Sequence, residues 1–512
     1  MYIDQCRIEV NYNMTKKIIF WLNAFLLYYG LAYTLQKQYD CELYSIIDVT
    51  NKTKNFFEEQ NLVNFKKKWF LHDHIKKNNI KPDLEYLENF EKNYSLNIWQ
   101  LGFNERLFYF YNDFYKFSQN EILTILEQEC KLYEKILDET KPDFLIIHET
   151  ALHQEHLFYE ICKKRGIKTL ILNQSKLGYK CIVSQELHKI DFMPELSSVE
   201  SKGRDFNDLL TEIKSSDSTK QTKFYAENFA NSKLSKIKAI LEYVSSENSN
   251  LQNNFAYYGR NKFKVLTKYF TYSIQSKLRK NFLDKNSEYE IFNDEKFVLY
   301  TLNQEPERST LIATPYYTNQ LEMIRHIAKS LPVGYKLYVK EHFSQALREW
   351  RKISYYKEIL EIPNVRLYHP SADIEKLIQK SSLVMSIGGT TPFQAAFYQK
   401  PSIIIADLGY AVLPSVQKLN SFEELPVLIR NGLKMKVNSD DLDRYLTILE
   451  KNSFSFDFRD YEIKEANYFR YGGNLHDTAI SDEKMKFFLK DNENSFKILG
   501  EEYVKKLKQL EK

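Results

Sequence analysis

The sequence predicts an α/β protein with two doubly wound, Rossmann-like domains. Three observations carry this. Apolar runs of strand length alternate with amphipathic runs of helix length over residues 14–195, and again over 295–434. The 512 residues are too many for one ordinary core, and 43% apolar residues suffice for two. Between and after these regions strand signals fade. Residues 196–294 read as a helical insert or connector, and 435–512 as a helical, charged C-terminal extension.

The first region opens with an ambiguity. Ile18 to Leu35 is mostly apolar and follows Lys16 and Lys17, as a signal peptide or short membrane span does. Asn23, Tyr28, Tyr29 and Gly30 interrupt it, and no small-residue cleavage site follows. It divides better into a strand (Lys17–Leu22), a helix (Ala24–Gln36) and, after a short gap, a second strand (Leu43–Val49). Met1–Asn13 is poorly patterned, so Met14 is a candidate start. A Lys/Asn-rich connector is expected over Asn51–Lys68, and mostly helix from Glu105 to Thr140. Then come a buried strand at Phe144–Ile147, a helix at Gln154–Arg165 stopped by Gly166, and a strand at Thr169–Leu172.

Alternation resumes with strands at Lys296–Tyr300, Lys336–Val339, Val365–Tyr368, Leu383–Ile387 and Ser402–Ala406. Helices are expected at Tyr317–Leu331, Asp373–Lys380 and Pro392–Tyr398. Strand–helix–strand units of these lengths imply parallel sheets.

Composition narrows the function. A net charge of +4 gives no reason to expect nucleic-acid binding. Five scattered cysteines without a CxxC pair fit a reducing compartment rather than a disulfide framework or zinc site, so a cytoplasmic location is expected.

The sharpest motif is Ser386-Ile-Gly-Gly-Thr-Thr-Pro-Phe-Gln-Ala-Ala396. A buried strand ends in Gly388, Gly389, Thr390 and Thr391, with Pro392 at the expected helix start. Small residues there admit a ligand to the backbone, and free helix amides favour phosphate. The competing reading is punctuation, with Thr391 and Gln394 as a capping box. Other strand ends add polar residues. Lys340-Glu341-His342 follows one strand, His369 the next, and Asn303 to Arg308, with Glu307, the first of the second domain. His148-Glu149-Thr150 holds the matching place in the first domain. In open α/β sheets ligands bind beyond the carboxyl ends of strands, so these groups converge on one cleft.

Two patterns suggest metals but fit poorly. His148 and His153 are five apart, one too many for HExxH. Asp441-Leu-Asp443 sits at a helix start, where acids are expected for capping reasons. No metal or other cofactor is expected.

The run from about Phe297 to Val427 resembles the capsule polysaccharide biosynthesis family, GT-B-type proteins that include Kdo transferases. The likeness rests on Glu305-Pro-Glu-Arg308, Gln320, Leu331-Pro332, Tyr338-Val-Lys-Glu-His342, Pro363-Asn-Val365, Gly388-Gly-Thr-Thr391 and Gln399-Lys-Pro401. Lys141-Pro-Asp143, His148-Glu-Thr150 and Gly166-Ile167 add to it. The resemblance implies two facing Rossmann-like domains, a nucleotide-sugar donor on the second, and no obligatory catalytic metal. Phe343 and Gln394 depart from the family's usual Pro and Glu.

The expected activity is transfer of a sugar from a CMP- or UDP-linked donor to a surface polysaccharide or glycolipid acceptor. Alternatives are another GT-B enzyme, either a sugar-nucleotide epimerase or a polyol-phosphate transferase, and a non-catalytic nucleotide-sugar-binding assembly protein. Donor contacts fall to Glu307, Arg308, Lys340, Glu341, His342, His369, Gly388, Gly389, Thr390, Thr391 and Gln394. Glu149, at a strand's carboxyl end and expected to be partly desolvated, is the candidate base, with His148 as its alternative. Asn261–Phe282 carries an apolar stripe and six basic residues. It reads either as a helix packed on its own protein or as a peripheral contact with the inner face of the membrane.

Overall fold

The computed structural model describes residues 15–77, 81–110, 112–214, 233–246, 254–348 and 350–511. Met14 and the residues before it lie outside the described residues, as do parts of the 196–294 segment.

Two sheets form the frame. The first contains β1 (Lys16–Asn23), β2 (Cys41–Asp48), β3 (Phe65–Phe70), β4 (Phe144–Ile146), β5 (Lys168–Gln174) and β6 (Lys180–Ser184). The second contains β7 (Lys296–Thr301), β8 (Tyr335–Lys340), β9 (Val365–Tyr368), β10 (Leu383–Ser386), β11 (Ser402–Ile404) and β12 (Val416–Lys418). The parallel orders are β3-β2-β1-β4-β5 and β9-β8-β7-β10-β11-β12, the Rossmann order in both. In each sheet the order reverses between the first strand and the fourth, which opens a crevice at the carboxyl ends of those strands.

The central strands are apolar runs because both their faces are covered. Ile18 to Leu22 and Phe144 to Ile146 are almost wholly buried, as are Phe297 to Tyr300 and Leu383 to Met385. Ile18–Leu35 thus forms a strand and the helix Leu27–Gln38. Among the described residues, no helix is long and apolar enough to cross a membrane.

The C-terminal segment returns to the first sheet. A short strand, β13 (Phe454–Ser455), pairs antiparallel with β6. Helix Glu493–Glu511 packs on helix Leu27–Gln38, where Gly30 admits the Phe496 ring so closely that a Cβ would collide with it. Phe456, Tyr461, Phe488, Leu499 and Tyr503 complete that core.

Three expectations need correction or refinement. Asn51–Lys68 is not only a connector: it holds the helix Asn51–Glu59 and most of edge strand β3. Glu105–Thr140 is mostly helical but not continuous: Arg106–Phe110 is a π-helical turn, and the long helix begins at Gln119, where Ser118 and Glu121 form a capping box. The apolar stripe of the helix Lys262–Asn286 is not packed inward, since Phe263, Phe270, Ile274 and Leu278 are exposed.

Candidate functional site

Two cavities meet at the turn after β10. One, of about 290 Å³, lies between the domains. Its walls include Glu149 and Lys176 from the first domain and Glu307, Arg308, Gly389 and Thr390 from the second. The other, of about 560 Å³, lies on the second domain, with Lys340, His342, Pro370, Thr390, Thr391 and Gln394 in its wall. Thr390 borders both.

The turn is held from behind and open in front. The Ser386 hydroxyl donates to the Gly388 carbonyl at 2.8 Å, and the Tyr410 hydroxyl to the Gly389 carbonyl at 2.6 Å. Gly389 has φ +94°, a conformation that strains any L side chain, and it is exposed. The helix Thr391–Phe397 starts at Thr391, with Pro392 second. No side chain caps it, so the Thr391–Gln394 capping box is absent. Thr390 stands at the junction of the two cavities, and Thr391 lines the second-domain one.

Arg308 crosses to the first domain, where its Nε donates to the Thr150 hydroxyl at 3.4 Å. Burial holds its pKa below the usual arginine value, against the pull of Glu149. Burial likewise lowers the Lys176 ammonium, opposed by Glu149 and, more weakly, Glu307. Lys176 adopts φ +64°, strained for a non-glycine residue, and so does His188, with φ +59°, in the same cleft. Burial, with Lys176 and Arg308 nearby, pushes the His188 imidazole down to about 3. It is therefore neutral, and the basic side chains lining the cleft are Lys176, Lys189, Arg308 and Arg459.

The predicted site residues divide into groups. Glu149, Glu307, Arg308, Gly388, Gly389 and Thr390 share the interdomain cleft. Lys340, Glu341, His342, Thr391 and Gln394 border the second-domain cavity. Lys340 is buried, and its ammonium donates to the Pro370 carbonyl at 2.9 Å. Glu341 is fully buried and receives Arg351 Nε and the Tyr356 hydroxyl, each at 2.9 Å, so its carboxylate anchors the fold. His369 borders neither cavity: it stacks on Tyr289 and pairs with Asp284 at 3.1 Å.

In the first domain, His148 turns inward. Its Nε2 lies 2.9 Å from Glu155 and 3.1 Å from Asn23. Burial would lower its pKa, but Glu155 outweighs burial and raises it. That leaves Glu149 as the residue of the pair that faces the cleft. Glu149 is exposed rather than partly desolvated, because the cleft is open to water there. It does not cap the following helix: Glu155 accepts the amides of Ala151 at 2.8 Å and Leu152 at 3.3 Å.

Neither metal-like pattern assembles a ligand set. His153 is buried between Glu105 and Glu129. Asp443 is buried and bonds Ser201 and Arg204. Among the described residues, no group of three or more His, Cys, Asp or Glu is placed to hold a metal ion.

Sequence reasoning missed Lys176, His188 and Arg459. Lys176 follows β5, so the same rule about strand ends would have found it. Arg459 comes from helix Phe458–Phe469 of the C-terminal segment, which carries no local motif.

The model of the capsule polysaccharide biosynthesis protein family matches residues 197–413, from the helical connector through β11. No curated protein matches the chain significantly. Similar solved structures include a UDP-GlcNAc 2-epimerase of Methanocaldococcus jannaschii in complex with UDP-GlcNAc and UDP. It is 14% identical, with 85% of this chain and 99% of that one covered at a TM-score of 0.25. A β Kdo 2,7 transferase, KpsC of Thermosulfurimonas dismutans, is 11% identical over 62% and 89%, TM-score 0.27. Anabaena HepE, in complex with UDP and glucose, is 11% identical over 85% and 95%, TM-score 0.24. At such scores these likenesses carry no argument, and the fold rests on the strand order itself.

Proposed function

From a chain that matches the capsule polysaccharide biosynthesis family through residues 197–413, we propose a glycosyltransferase. It moves a sugar from a CMP- or UDP-linked donor to a polysaccharide or glycolipid acceptor. The supporting observation is the Gly389–Thr390 turn, which borders a nucleotide-sized cavity on one side and the interdomain cleft on the other.

In this reading the nucleoside occupies the second-domain cavity and the phosphates lie on the turn. The sugar then projects into the cleft towards Glu149. As the acceptor oxygen attacks the anomeric carbon, Glu149 takes its proton. The bond from that carbon to the phosphate oxygen breaks, and the nucleotide leaves with the electron pair. Arg308 and Lys176 stabilise the charge that develops on the leaving phosphate. Their partial burial makes each charge count for more than it does in water. The division of labour proposed here gives the acceptor to residues 14–195 and the donor to 295–434.

Thermal shift against CMP, UDP, CDP and GDP tests the donor site, because a bound nucleotide stabilises by mass action. One nucleotide is expected to raise Tm, and no shift with any of them sinks the reading. The neutral Gln394 in the cavity wall favours a second reading, a nucleotide-sugar-binding protein without turnover. Slow hydrolysis of the matching nucleotide sugar separates the two, since the enzyme hydrolyses it and the binder does not.

A further inference from the structure

The helical connector carries a surface that sugar transfer does not use. On helix Lys262–Asn286, Phe263, Phe270, Ile274 and Leu278 recur at seven- and four-residue spacing, so they form one stripe. They are 57% to 79% exposed. The other side of the helix does the anchoring. Lys268 pairs with Asp113 at 2.8 Å, Arg279 donates to the Trp350 carbonyl at 2.7 Å, and Leu283 is buried. The helix is about 37 Å long and is tied to both domains, with its stripe held outward.

Helix Lys233–Ser245 repeats the pattern. Leu234, Ile237, Leu241 and Val244 are exposed along one side, while Ala239 is buried on the other. Lys262 Nζ donates to the Val244 carbonyl at 2.6 Å, which joins the end of this helix to the start of the next. Two rows of large apolar side chains, on helices joined end to start, exceed the scatter normal on a soluble surface.

Charge identifies the partner. The two helices hold ten basic and two acidic side chains, a net +8, or +6 with Lys268 and Arg279 of the anchoring side set apart. The whole chain carries only +4, so everything outside these helices is net acidic by four. Lys264 and Lys277 flank the stripe of the longer helix. An apolar groove on another protein would match the stripes but not this one-signed fringe. An anionic lipid surface matches both. Apolar side chains enter the boundary between headgroups and acyl chains, and lysines face the headgroups.

We propose that helices Lys233–Ser245 and Lys262–Asn286 form a docking surface for anionic bilayers, lying in the interface plane.

The test is co-sedimentation of the full chain with phosphatidylcholine vesicles, with and without phosphatidylglycerol. Pelleting is expected with the anionic vesicles at low salt, falling as salt rises. The double variant Phe270→Ser and Ile274→Ser should lower vesicle affinity about tenfold or more, with Tm unchanged because both side chains are exposed. Failure of the intact chain to bind anionic vesicles overturns the proposal, and so does binding that the double variant leaves intact. A dimer that the double variant dissociates, without vesicle binding, assigns the surface to a second copy and also overturns it. None of these outcomes depends on sugar transfer, so failure here leaves the transferase reading standing.

Discussion

The two domains share a strand order, and each has a turn after its fourth core strand, but the two turns are finished differently. After β4, Glu155 folds back onto the Ala151 and Leu152 amides and also binds His148. That helix start is closed by its own chain, and what it shows the cleft is the Glu149 carboxylate. After β10 no side chain caps the helix, Gly389 is exposed, and two threonines line the cavities. Equal topology therefore produces unequal chemistry. The first turn presents a carboxylate to the cleft, and the second presents an exposed glycine and two threonines. Side chains a few residues beyond each strand decide which.

Removing the first turn's contribution should have the largest effect. Glu149→Gln keeps shape and hydrogen bonding but cannot accept a proton. Turnover is expected to fall by about 10²–10⁴ with donor affinity unchanged, since a positioned base contributes that much. Near-wild-type turnover in single-turnover assays would show that the turns do not divide the chemistry this way.

Arg308→Gln comes next. Arg308 leaves the second domain, from the helix after β7, to reach Thr150 beside Glu149, so it ties that domain to the first turn. Loss of one cation aimed at a developing phosphate charge should cost about 10²–10³ in kcat. An effect on KM alone would mean that Arg308 holds the ground state and not the leaving group.

These turns also show what was legible in the sequence. Gly388-Gly389-Thr390-Thr391 could be read locally as the turn between a strand and a helix, because small residues and a following Pro392 punctuate the chain there. The central strands were legible because burial on both faces makes them continuous apolar runs. Strand β3 was not, because Lys66, Lys67 and Lys68 sit in an edge strand, where charge discourages pairing with other chains. Lys340, Glu341 and His369 were chosen for their place at strand ends, but Arg351, Tyr356, Tyr289 and Asp284 consume the last two. Those partners lie 10 to 85 residues away, beyond any local motif. The exposed stripe of helix Lys262–Asn286 was legible as a stripe, but its direction is set by tertiary anchors.

A third prediction concerns what holds the first turn's helix in place. His153, its first residue, sits between Glu129 and Glu105 at 3.0 and 2.8 Å. Burial alone would lower the imidazole's pKa, but the two carboxylates push it up to about 10. An unfolded histidine titrates near 6.5. The folded state therefore binds the proton more tightly. This stabilisation is complete below about pH 6.5 and is lost as pH rises towards 10. Chemical denaturation at stepped pH should show stability falling through that window. His153→Gln should flatten the fall, and an equal fall in both proteins would assign it elsewhere.

The smallest expected effect tests the second turn most cleanly. Gly389 is a poor target, because at φ +94° any side chain strains the chain as well as blocking a ligand. Thr391 avoids that problem. The helix has no side-chain cap, and Thr391 is its first residue rather than its cap. Thr391→Val keeps the volume and removes only the hydroxyl. Stability should stay within about 0.5 kcal/mol, as for an ordinary surface change. If the hydroxyl donates to a donor phosphate, losing that bond should weaken nucleotide binding about tenfold, because hydrogen bonds to charged groups contribute about 1.5–3 kcal/mol. The same exchange at Thr150, in the first turn, should leave nucleotide affinity unchanged, since that hydroxyl faces Arg308 from the first domain. Equal losses at both positions would erase the distinction between the turns. A loss at Thr391 alone would place the phosphates on the second.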